Sequence, residues 1–369
     1  MSEKHKYFTL RMKNIENKSK AIIIDDDEPK MQDDDEPKIQ KQIKQNEYQF
    51  DSEITPWLSL KTASIKHPTI RFHNEIIEFY DYITPSQDEH RKREQALMRV
   101  EMFIKGCVSN VDIQPFGSFR TQLYLPNADI DVVMIDKTMS AKELYKIVAQ
   151  NLMKSDKFEN VNLIANAKVP IIKFFEVETQ YQFDISFNQM DGIRQIEEIN
   201  KAFTIYPEFK YLIMILKCML KQRELNETYS GGIGSFLLFQ MILAFLREIR
   251  KEAFANKKQE QLKNVTLGEY ILRFLEFYGS KFDYQKKRIL MVNGGSIINK
   301  PVPDDKFSLI SPQDPDHDIG SSSFKIKEIF KIFSNRYNFM SNYNFKLEES
   351  VLKYLINPSD QKFTFIKQN

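Results

Sequence analysis

Cysteine is scarce: Cys107 and Cys218, far apart, are the only two in 369 residues. They provide neither a disulfide framework nor the Cys/His spacing of a zinc site, which points to a reducing compartment. Long apolar runs are missing as well. Nothing approaches the roughly 18 apolar residues of a membrane span, and the opening MSEKHKYFTLRMKN lacks the apolar core of a signal peptide. The expectation is a cytoplasmic or nuclear protein with no membrane segment. Charge of one sign is absent too, since 53 Lys and Arg against 51 Asp and Glu leave a net +2. Any nucleic acid must then be held by local grooves rather than by bulk attraction. No RNA-recognition motif, zinc knuckle or basic tail stands in the chain to hold it.

What is present divides by texture. DDDEPK occurs at Asp25 and again at Asp33 with few aromatics nearby, so residues 1–48 read as a disordered acidic-repeat tail. Order is expected from about Ile54, where Pro56, the single Trp57 and Leu58 follow. A helical pattern carries Ile76, Ile77, Phe79 and Tyr80 on one face and breaks at Pro85. A second helix has Ala96, Leu97, Val100, Phe103 and Ile104 as its apolar stripe.

The chemistry begins in the segment from Pro115 to Asp136, PFGSFRTQLYLPNADIDVVMID. Side chains two apart on a strand share a face, so Asp129 and Asp131 point the same way while Ile130, Val132 and Val133 favour the strand. Two adjacent carboxylates repel unless a divalent cation lies between them, and hard oxygen ligands suit Mg²⁺. Gly117 permits a tight turn, and Ser118 is expected to open a short helix whose amides and hydroxyl can hold a phosphate. A D-x-D alone is more often a solvated edge. The balance shifts with Asp184, which lies in a second alternating strand within VPIIKFFEVETQYQFDISFN. Three such carboxylates suit in-line displacement at phosphorus supported by two metal ions.

Beyond Asp184 the chain turns to long helices. In YPEFKYLIMILKCMLKQREL, Lys217 and Lys221 lie four apart and share a helical face. The glycine-rich LNETYSGGIGSF then leads into a helix starting near Gly234 or Ser235, a second phosphate-capable start. More helix is expected through LGEYILRFLEFYGSKFDYQKKRIL, followed by a loop-rich stretch with Pro301, Pro303, Pro312 and Pro315.

The set GSFRTQLYLPNADIDV, YQFDISFN, LNETYSGGIGSF and SPQDPDHDIGSSSFKIKEIF resembles the non-canonical poly(A) polymerase and terminal uridylyltransferase family, and does so from about Trp57 to about Lys353. The resemblance implies an α+β architecture. A polymerase β-like nucleotidyltransferase domain, a mixed sheet with helices, spans 86–200; a mostly helical, base-recognising central domain is formed by 49–85 and 201–369; the active site lies in the cleft between them. By the same resemblance, Gly117 and Ser118 form the phosphate-binding turn. Asp129, Asp131 and Asp184 are the catalytic metal ligands for Mg²⁺, with Mn²⁺ as the alternative, and Asp184 also helps ionise the RNA 3′-hydroxyl. Lys217, Lys221 and Ser235 hold the triphosphate. Phe236 stands where relatives carry a base-stacking tyrosine and keeps the π-face.

Base choice is expected to rest on His317. Uridylyl-adding relatives carry His-Asn before the hydrophobic-glycine pair, adenylyl-adding ones Asn-Asn, and this chain has His317-Asp318. A histidine can meet the uracil carbonyl edge and crowd a purine. Asp318 and Ser321 depart from the family pattern, and GGIGSF is closer to the adenylyl-adding branch. The reading is therefore transfer of a nucleotide from UTP, or alternatively ATP, to an RNA 3′ end, with a protein partner supplying the RNA. A scaffold of an RNA-processing complex and a transferase for small molecules or transfer RNA are the competing readings. The three intact carboxylates argue against the first, and the base-recognition loop against the second.

Overall fold

The computed structural model describes residues 55–165 and 170–360, so the acidic repeats lie outside the described residues. Contacts divide the chain into two units, 83–205 and the discontinuous pair 55–82 with 206–360.

The first segment of the discontinuous unit holds α1 (Leu60–Ala63) and α2 (Pro68–Ile83). Two charged residues of α2 are completely buried, Arg71 and Glu75. Glu75 accepts four hydrogen bonds: on Oε1 from Trp57 Nε1 at 3.1 Å and from the Ser350 hydroxyl, on Oε2 from the amides of Val351 at 2.8 Å and Leu352 at 3.1 Å. Burial pushes its carboxyl above the ordinary range, and those donors pull against the shift. Arg71 donates to the carbonyls of Ile65 (3.1 Å) and Lys346 (2.7 Å). These contacts join the start of the unit to its last described turns, and the donors to Glu75 and the carbonyls that receive Arg71 offset part of the cost of burying the two charges.

The inserted unit starts with α3 (Gln87–Cys107), opened by a Ser86–Glu89 capping box. Then come β1 (Asp112–Pro115), the five-residue α4 (Gly117–Thr121), β2 (Ile130–Ile135), α5 (Ala141–Lys154), β3 (Phe158–Ile164), β4 (Ile171–Glu176), β5 (Gln182–Phe187) and α6 (Asp191–Ile205). The sheet order is β1-β2-β5-β4-β3, with β2 and β5 parallel and the other pairs antiparallel. Alternation sorts the faces. Ile130, Val132 and Met134 of β2, Ile172 and Phe174 of β4, and Phe183, Ile185 and Phe187 of β5 are fully buried in one core with the apolar stripes of α3 and α5. Each such side chain contributes on the order of 1.5–3 kcal/mol. The intervening residues, Asp131, Lys173 and Asp184 among them, therefore face the other way.

The discontinuous unit resumes with α7 (Phe209–Gln222), α8 (Ser235–Ala255), α9 (Gln259–Leu262) and α10 (Leu267–Glu276), the last opened by a Thr266–Glu269 capping box. The expected helix does not continue to Leu290. After a π turn at Phe277–Lys281, Lys287–Leu290 forms β6, which pairs with β7 (Ser296–Asn299) and β8 (Leu309–Ile310) in a three-stranded sheet. The apolar periodicity that supports α10 ends at the turn, and Ile289 is buried by strand pairing instead. The helix α11 (Ile326–Asn342) follows the loop that carries His317.

Candidate active site

Parallel pairing of β2 with β5 puts Asp131 directly opposite Asp184. Asp129 is not itself in the strand, which starts at Ile130; it is the last residue of the preceding loop. Even so, ligand oxygens of Asp129, Asp131 and Asp184 all lie within 4.8 Å of one another. Three hard oxygen donors converging at this spacing fit a divalent cation such as Mg²⁺.

The Gly117 turn is built against the same strand. The Phe116 amide donates to the Asp131 carbonyl at 2.9 Å, and Gly117 follows at φ +62°. A Cβ on Gly117 would run into the Asp131 carboxylate, so both its conformation and its lack of a side chain are used here. The helix α4 begins at Gly117, one residue before the expected Ser118, and Phe116 at its N-cap supplies no side-chain acceptor. Its first amides thus point to where an anionic oxygen can be received. Gly192 on α6 lets the Phe116 ring approach closely, which packs α6 against this turn.

Two basic residues join the site that the motif reading missed. Lys173 pairs with Asp184 across the β4–β5 register, and the Gln182 amide also donates to Asp184 at 3.1 Å. Burial, then the neighbouring Asp129 charge, raises the Asp184 pKa, while Lys173 and Gln182 oppose the rise. Burial works against charge on Lys173 too, but Asp184, Asp129 and Asp131 together lift its pKa above the ordinary value. The signal was available, because Lys173 takes the same strand parity as Asp184. Arg93 is the other. It sits on the apolar stripe of α3, where a charge is out of place, and donates to the Ala128 carbonyl at 2.7 Å.

The remaining expected residues lie in the discontinuous unit. Lys217 and Lys221 are half-buried on α7; Ser235, exposed, and Phe236, half-buried, begin α8, whose N-cap Gly234 supplies no side-chain acceptor. The segment after His317 is tied to the glycine turn before Ser235. Ser323 Oγ donates to the Gly232 carbonyl at 2.8 Å, and the Lys325 amide to the Gly231 carbonyl at 3.0 Å. The His317 side chain is exposed, with its backbone fixed by bonds to Ser311 and Asp314. Asp318 has a structural task, since its carboxylate accepts the amides of Leu309 and Gly320, each at 3.0 Å.

Residues 72–200 match the family model of the central palm domain of the mitochondrial-like poly(A) RNA polymerase. Poly(A) RNA polymerase cid14 of Schizosaccharomyces pombe is 30% identical over 327 residues, 85% of this chain and 47% of the relative. Poly(A) RNA polymerase protein 1 of Saccharomyces cerevisiae is 30% identical over 330 residues, 82% of this chain and 51% of the relative. The solved polymerase core of TRAMP, an RNA surveillance complex, superposes with a TM-score of 0.70 at 28% identity, covering 80% of this chain and 96% of that one. The chain belongs to the non-canonical poly(A) polymerase family. It has that family's α+β nucleotidyltransferase fold, and it spans about half the length of the curated relatives it matches. Among its described residues, no helix is long and apolar enough to cross a membrane.

Proposed function

We propose that the chain is a template-independent RNA 3′-terminal nucleotidyltransferase, which joins a nucleoside monophosphate from an NTP to an RNA 3′-hydroxyl and releases pyrophosphate. The observation that carries this reading is the convergence of Asp129, Asp131 and Asp184, with ligand oxygens within 4.8 Å of one another. When bound there, a divalent cation, Mg²⁺ or Mn²⁺, supplies activation of the attacking hydroxyl and stabilisation of charge on the phosphoryl group. The chain's own residues do the rest. The Gly117–Ser118 amides receive the phosphate chain; Lys217, Lys221 and the start of α8 at Ser235 hold its outer oxygens; Asp184 Oδ takes the hydroxyl proton. Phe236 offers its ring face to the base.

Adenylate is the better-supported nucleotide. Two relatives at 30% identity, each matched over more than four-fifths of this chain, are poly(A) RNA polymerases. A second reading, uridylyl transfer, is favoured by His317 alone. The likeness to the polymerase core of a surveillance complex supports action inside an RNA-processing assembly, with a partner protein that presents the RNA.

The test is to incubate the purified chain with Mg²⁺, a short single-stranded RNA and each NTP separately, beside Asp131→Asn. Extension by ATP that Asp131→Asn abolishes is expected. Extension by UTP alone would hand base choice to His317, and equal activity of the Asp131→Asn variant would refute the site.

A further inference from the structure

Two of the three carboxylates are held by the sheet, and the third is not. Asp131 and Asp184 are ladder partners, whereas Asp129 precedes the first paired residue of β2. The loop before it turns tightly, with Asn127 at φ +61° and the Ala128 amide bonded to the Leu125 carbonyl at 3.0 Å. Its last anchor is the Ala128 carbonyl, which receives Arg93 Nη1 at 2.7 Å. A peptide unit is planar, so holding the Ala128 oxygen restricts where the amide nitrogen and Cα of Asp129 can lie.

The cation that does this is unusually placed. Arg93 is 5% exposed, and its guanidinium carbon lies 4.7 Å from the Tyr124 ring centroid and 4.5 Å from that of Tyr181. Burial works against its charge, and among the acidic groups opposing that effect are Glu89 and Asp129, acting through space rather than through a salt bridge. A buried cation with a carbonyl and two ring faces for company is costly if packing is its whole purpose, because an apolar side chain would pack there without desolvation.

We propose that Arg93 is a positioning residue for the divalent-cation site: by gripping the Ala128 carbonyl it sets Asp129, the ligand outside the sheet, where its carboxylate meets those of Asp131 and Asp184. The inference rests on the metal-site reading above. It leaves the Tyr124 and Tyr181 rings the separate task of sheltering the buried guanidinium.

The experiment measures Mn²⁺ binding to the full chain, by the loss of the free-ion paramagnetic resonance signal, together with thermal stability and the Mg²⁺ dependence of transfer. Arg93→Met is expected to weaken Mn²⁺ binding by about 10- to 100-fold, the range for loss of a residue that orients a metal ligand. It should raise the Mg²⁺ needed for half-maximal transfer to match, with kcat recovering at high Mg²⁺. Arg93→Lys, which retains the charge and one donor, should fall between wild type and Arg93→Met, and it decides the question if Arg93→Met does not fold. Tyr181→Leu should lower stability while leaving Mn²⁺ affinity close to the wild-type value, since the bond to Ala128 remains. An Arg93 variant that folds and binds Mn²⁺ as wild type does overturns the proposal. Wild type that binds no Mn²⁺, or binds it no better than Asp131→Asn, removes the metal site itself and the proposal with it.

Discussion

Replacing Glu75 with glutamine keeps the shape of the side chain and changes one acceptor into a donor. The best arrangement turns the new amide group toward Ser350, whose hydroxyl can reverse and accept, and leaves the remaining oxygen to the amides of Val351 and Leu352. That strands the Trp57 indole N–H, at about 1–3 kcal/mol for one buried donor. Glu75→Ala strands all three N–H groups, for roughly 3–9 kcal/mol on the same scale, a large part of a domain's usual stability. Trp57 is the only tryptophan and touches the altered group, so urea unfolding followed by its fluorescence reads this unit directly. Glu75→Gln should lower the midpoint by roughly 1 M with little change in slope. The pH dependence has a definite sign. Because the folded carboxyl is held above its unfolded value, wild type gains stability as pH falls from above the folded pKa toward about 4.3, and glutamine gains none. The penalty at pH 5 should therefore exceed that at pH 8. A Glu75→Gln midpoint equal to wild type, or a penalty that shrinks on acidification, would refute the reasoning.

Gly117→Ala forces a left-handed residue to carry a Cβ, costing about 1–2 kcal/mol, and drives that Cβ against the Asp131 carboxylate. Transfer should fall roughly 100-fold while the chain stays folded, as for a misplaced reacting group, checked by kcat beside a thermal melt. Arg99→Met removes a 2.6 Å bond to the buried Glu176. Burial pushes the Glu176 carboxyl up, but Arg99 and Thr179 bring it net below the ordinary range. The stabilisation is therefore complete above about pH 4.3 and is lost as pH falls through the lower folded value. The wild-type advantage in thermal midpoint should be clear at pH 7 and fade toward about pH 3.

The alternation in ADIDVVMID and YQFDISFN was enough to assign both strands and the face of Asp131 and Asp184, because a period of two follows from backbone geometry alone. Ser86, Ser140 and Thr266, each with a glutamate three residues on, mark helix starts for the same local reason. What escaped depends on partners remote in sequence. Lys287–Leu290 has no pattern that separates strand from helix until β7 and β8 lie beside it. The role of Arg93 becomes visible only when Ala128, 35 residues away, is seen to receive it. Lys173 falls between, since its parity could be read but its pairing with Asp184 needed the hairpin register.

The bond from Val351 to Glu75 spans 276 residues, and a ribosome adds about 5–20 residues each second. Glu75 therefore waits on the order of tens of seconds for its acceptor sites to be filled. During that interval the whole of 83–205 is synthesised and can complete its own sheet, which needs nothing from later in the chain. The nascent chain would thus carry a finished five-stranded unit while residues 55–82 still expose Trp57 and a buried-type carboxylate to solvent. That early segment, rather than the five-stranded sheet, is where chaperone dependence and premature termination should act.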